Sequence, residues 1–147
     1  MLLLLIALQA VQVAFLWLHD WAPLPPLNDV KAAREADSTS RLALVTLIQS
    51  GPYSIGLISL IELKGGFHTW LWYWLWISYS ALFLGELRAW WVPYLLKAEP
   101  DRAARYRTLF GATHSFLPER NGMKPNTLHI ILHAFTAATL VVLALVT

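Results

Sequence analysis

Long apolar runs alternate with short polar connections along this chain. Residues 1–19, 42–61, 67–85 and 127–147 are each mainly apolar, and each is about the 20-residue length that a helix needs to cross about 30 Å of hydrocarbon. The third run carries on to residue 92, just before Pro93. The pattern predicts an all-α polytopic membrane protein, a four-transmembrane-helix bundle forming one domain over residues 1–147, with spans at about 1–19, 42–61, 67–92 and 127–147. Between the third and fourth runs, Arg102, Arg105 and Arg107 are interleaved with Tyr106, Leu109 and Phe110. That mixture predicts a short amphipathic helix over about 100–110, lying in the membrane interface. Asp101 sits near its positive end, and Gly111 is placed to end it.

The punctuation between runs refines these elements. Pro23, Pro25 and Pro26 break the chain after the first span. Asn28 or Asp29 then caps a short helix ending near Ala36, and one of Ser38, Thr39 or Ser40 caps the second span. Pro52 is expected to kink that span, and Ser50, Gly51, Ser54 and Gly56 beside it are small enough for close helix contact. Ala134 and Ala138 suggest another close-contact face on the fourth span. Gly65-Gly66 suits a tight turn between the second and third spans. Trp70, Trp72, Tyr73, Trp74 and Trp76 read as one interfacial aromatic belt, and Trp90-Trp91 as the other.

Composition strengthens the membrane reading. The chain is 57% hydrophobic and 14% charged, more apolar surface than a soluble globule of this size can hide, so the lipid bilayer is the expected partner. It has no cysteine, which excludes disulfides, thiolate metal sites and thiol catalysis within it. No Lys or Arg precedes Lys31, and the first run continues through Trp17 and Leu18. A retained first span is therefore expected in place of a signal peptide. Lys31, Arg34 and Arg41 lie in the first connection, and Arg88, Lys97, Arg102, Arg105, Arg107, Arg120 and Lys124 in the third. Lys64 alone lies in the second. The positive-inside rule then places residues of about 20–41 and 93–126 in the cytoplasm and both termini outside it, as for a bacterial inner-membrane protein. This basic run reads as a topology signal in contact with anionic head groups. No nucleic-acid partner is expected, because no nucleic-acid-binding motif accompanies the charge.

Ionisable groups inside apolar runs are the candidate chemistry. His19 and Asp20 end the first span, Glu86 and Arg88 the third, and His129 and His133 begin the fourth. All six fall at one depth. His129 and His133 are four apart and share one helix face. Two imidazoles and a carboxylate suit a divalent transition metal held by His129, His133 and Glu86, completed by His19, Asp20 or His114. Ile130 follows His129, so this is not the metalloprotease His-Glu-x-x-His motif. Alternatively, Glu86, His129 and His133 perform acid–base chemistry on a lipophilic substrate entering from the inner leaflet, or the histidines only join helices by hydrogen bonds. Glu86 is expected to meet Arg41, Arg120 or a histidine. Arg88, His114, Arg120, Asn121 and Asn126 are candidates for binding substrate or an anionic head group, with tying down a loop as the plainer role. The competing functional reading is a non-catalytic accessory subunit, or a small transporter working as a homo-oligomer. Polarity concentrated at the inner end favours a site over a pore.

Overall fold

The computed structural model describes residues 1–64 and 66–146. Gly65, half of the expected Gly65-Gly66 turn, and Thr147, the end of the fourth run, lie outside the described residues. Helices make up 73% of the structure, with no strand among the described residues. In order they are α1 Leu2–Leu18, α2 Val30–Ala36, α3 Thr39–Glu62, α4 Thr69–Glu86, α5 Val92–Leu95, α6 Pro100–Phe110 and α7 Thr127–Val146. A π-helical turn, Leu87–Trp91, joins α4 to α5. The expected caps are present. Asp29 accepts from the Ala32 N–H at 2.9 Å to open α2, and Ser38 accepts from the Arg41 N–H at 3.3 Å to open α3.

Two helices, α3 and α7, are long and apolar enough to cross a membrane. α1 is as apolar but has 17 residues, and the first half of α4 is rich in Trp and Tyr, whose rings carry polar atoms. α1 packs against α3 and α7, and α4 packs against the same two helices. Leu5, Leu60, Leu71, Leu75 and Leu143 fill the core toward one end, with Leu16, Tyr79 and Leu132 farther along. A second core, of Trp90, Tyr94, Ala98, Ala103 and Met123, lies under α6 and the connection to α7. Outside, the long helices present large aliphatic side chains: Leu3 is 82% exposed, Ile48 65%, Ile77 67% and Leu145 67%.

Several sequence expectations change here. The close contact of α3, which is helical on both sides of Pro52, is not at Gly51, where an added Cβ would meet open space. It is at Gly56, where a Cβ would come within 2.9 Å of Leu75 and 3.5 Å of Trp74. Ala134 is exposed. α7 packs instead through Leu128, Leu132, Thr136, Thr139 and Leu143. Trp90 and Trp91 do not form a lipid-facing belt either. The reason lies at Pro93, which has no N–H for the Ala89 carbonyl. The Val92 N–H reaches back to the Leu87 carbonyl, one residue farther than in an α-helix, and the Tyr106 hydroxyl donates to the vacated Ala89 carbonyl at 3.2 Å. Burial pushes the Tyr106 phenol above its ordinary range, against the opposing effect of Arg102 and Arg105, so it remains a donor. The widened turn lets Trp90 and Trp91 both face α7.

Candidate functional site

Four of the expected residues line one cavity of about 440 Å³: His19 from α1, Glu86 from α4, and His129 and His133 from α7, joined by Gln49 and Tyr53 from α3 and by Trp90. Ile48 of α3 and Ala81 and Gly85 of α4 also line it, and all three are exposed, so the cavity opens sideways between α3 and α4. A second hollow of about 320 Å³ adjoins it, shares His19, Gln49, Trp90 and His129, and extends past Asp20, Asp37 and Arg105 toward α6. Asp37 is held between Arg41 at 2.8 Å and Arg105 at 2.5 Å, which fastens α6 over this end.

Each histidine is fixed by a different neighbour. Asn126 is buried just before α7. Its Nδ2 donates to the Leu27 carbonyl at 3.1 Å, and its Oδ1 accepts from the His129 backbone N–H at 3.1 Å and from His129 Nδ1 at 2.6 Å. Nδ1 of His129 therefore carries the proton, and Nε2 presents a lone pair. At His133 the order is reversed. The Trp91 indole N–H donates to His133 Nδ1 at 3.1 Å, so the ring proton is on Nε2. Neither Nε2 has a hydrogen-bond partner among the described residues. The half-buried His129 ring lies 4.5 Å from Trp90 at a 32° tilt and 5.1 Å from Phe110, and its centroid is 6.3 Å from that of His133. Nδ1 of His19 donates to the Phe15 carbonyl at 3.2 Å, and Nε2 faces Asp20 at 3.3 Å.

Glu86 is buried but does not meet Arg41, Arg120 or a histidine through a hydrogen bond. Its Oε1 is paired with the Thr136 hydroxyl at 2.8 Å, and Oε2 has no hydrogen-bond partner among the described residues. Gln12 continues the network, donating to Thr136 at 2.9 Å and accepting from Thr139 at 3.1 Å. All four side chains are buried. From His129 to Thr139 the α7 side of this line rises about 15 Å at 1.5 Å per residue. Polarity is thus not confined to one end, and it stops at the layer of Leu5, Leu60, Leu71, Leu75 and Leu143.

The remaining candidates lie elsewhere. Asp20 lines only the second hollow. Arg88 is exposed beside Lys97 and Arg102 in a separate surface hollow of about 200 Å³. His114 does not fold over the cavity. It is exposed, bonds Thr127 through Nδ1 at 2.8 Å, and ties its backbone N–H to the Pro26 carbonyl at 2.7 Å. Asn121 holds its loop to the Tyr94 carbonyl at 2.8 Å, and Arg120 pairs through its backbone with Met123 at 2.9 Å. Asn126 acts on His129 and the start of α7. Among the described residues, no group of three His, Cys, Asp or Glu side chains is arranged to hold a metal ion. Gln12, Thr136, Thr139 and the two tryptophans are the residues that sequence reasoning missed. Thr136 and Thr139 extend the His129–His133 face at spacings of three, and that was the available signal.

No protein-family model, curated protein or solved structure matches the chain, so function rests on the site itself.

Proposed function

We propose that this is an integral membrane protein that crosses the bilayer four times, through α1, α3, α4 with its extension to α5, and α7, and that it binds a lipophilic molecule in the cavity among them. The aliphatic cover on all four helices supports the crossings, since side chains such as Leu3, Ile77 and Leu145 need lipid around them. Both termini then lie on the extracytoplasmic side, and the basic connections on the cytoplasmic side. The observation that carries the functional reading is the cavity itself. It opens toward the hydrocarbon between α3 and α4, and its floor holds His129, His133 and Glu86. In this reading His129 Nε2 is the proton acceptor of the site, positioned by Asn126 and walled by Trp90. The leucine layer disfavours a transmembrane path, so a ligand site is preferred to a transporter.

A decyl diazirine photolysed with the protein in lipid nanodiscs tests this. Labelled peptides should include residues 81–90 and 128–133, and Gly85→Trp, which fills the open mouth, should remove that labelling. Labels confined to lipid-facing positions and indifferent to Gly85→Trp would contradict the reading.

A further inference from the structure

The cavity offers one hydrogen-bond acceptor and one donor from two adjacent rings. Nδ1 of His129 is occupied by Asn126 at 2.6 Å, which leaves the Nε2 lone pair. Nδ1 of His133 is occupied by the Trp91 N–H at 3.1 Å, which leaves the Nε2 proton. The ring centroids are 6.3 Å apart. Among the described residues, no Lys or Arg lines this cavity, Glu86 is one of its lining residues, and Glu86 Oε2 is buried with no hydrogen-bond partner.

We infer that the ligand's polar end is a neutral hydroxyl, an alcohol or a phenol, on an apolar body. This rests on the cavity being a ligand site. A hydroxyl donates one proton and accepts through its lone pairs, so a single group serves His129 as donor and His133 as acceptor. An ether or ketone only accepts and leaves His129 unpaired. An ammonium only donates and leaves His133 unpaired. A fatty carboxylate would bury a full negative charge where no Lys or Arg among the described residues lines the cavity to offset it. The apolar body lies along Leu82 and Leu132 and leaves past Ile48 between α3 and α4, as a lipophile arriving from the bilayer would.

The test is a matched pair of ligands. In nanodiscs, para-octylphenol is compared with its methyl ether, and decanol with its methyl ether. The hydroxyl member should bind roughly tenfold or more tightly, because the ether leaves the His129 Nε2 lone pair unmatched in a desolvated site. Discrimination in the phenol pair alone assigns an aromatic head, and discrimination in both pairs assigns a hydroxyl in general. In His129→Phe the preference should collapse while the ethers still bind. If that variant does not fold, the wild-type comparison still decides. Equal affinities within both pairs overturn the hydroxyl inference. If Gly85→Trp then abolishes binding of all four, the cavity reading survives alone. If it leaves their binding unchanged, both readings fail.

Discussion

Thr136 shows how much one hydroxyl carries here. It pairs with Glu86, accepts from Gln12 and lies against the Leu132 carbonyl at 3.1 Å, all in a fully buried position. Thr136→Val keeps the volume but leaves Gln12 Nε2 and Glu86 Oε1 without this partner. A loss of about 1–3 kcal/mol is expected, measured by unfolding in mild detergent, whereas Thr108→Val on the exposed face of α6 should change little. The histidines and Glu86 were readable from sequence, because ionisable residues are rare in apolar runs. Their partners were not. That Glu86 meets Thr136 and not a basic side chain depends on how α4 is rotated against α7, which composition does not encode. Asn126 was singled out as a head-group or loop residue, yet its carboxamide caps α7 and orients His129 at once.

At the level of elements, apolar runs and caps located the helices well, and α6 begins and ends where its amphipathic pattern indicates. The π-helical turn at Leu87–Trp91 had a visible cause, Pro93. Its consequence was not visible, because turning Trp90 and Trp91 inward requires Tyr106 of α6 to take the freed carbonyl. Small residues in α3 suggested close contact, but sequence did not say which of them faces α4. The structure gives a direct contrast. Gly56→Leu should cost about 1–3 kcal/mol by overpacking against Leu75. Gly51→Leu, which meets open space, should stay within about 0.5 kcal/mol of wild type. Thermal unfolding of the two variants side by side checks this, and equal losses would count against the α3–α4 packing.

At the scale of the whole molecule, the chain gathers its charges, apart from Glu62 and Lys64, toward one end of the bundle and its aliphatic surface to the middle. With no native cysteine, single-cysteine variants report topology cleanly. An impermeant maleimide applied to intact cells should label His68→Cys, between α3 and α4, and should reach Glu119→Cys, between α6 and α7, only after lysis. The opposite pattern would invert the orientation. The site depends on packing across the chain, since Asn126, which orients His129, is itself held by the Leu27 carbonyl from the connection after α1, and Trp91 from the π-helical turn must reach His133 on α7. The ring protons of His129 and His133 therefore report the assembled molecule. The chain has five histidines, few enough to assign by substitution. Nitrogen-15 NMR of histidine-labelled protein in nanodiscs at neutral pH should show His129 protonated at Nδ1 and His133 at Nε2, with Trp91→Phe perturbing only the latter. The same tautomer at both rings, or the same response of both to Trp91→Phe, would contradict a cavity built on one acceptor and one donor.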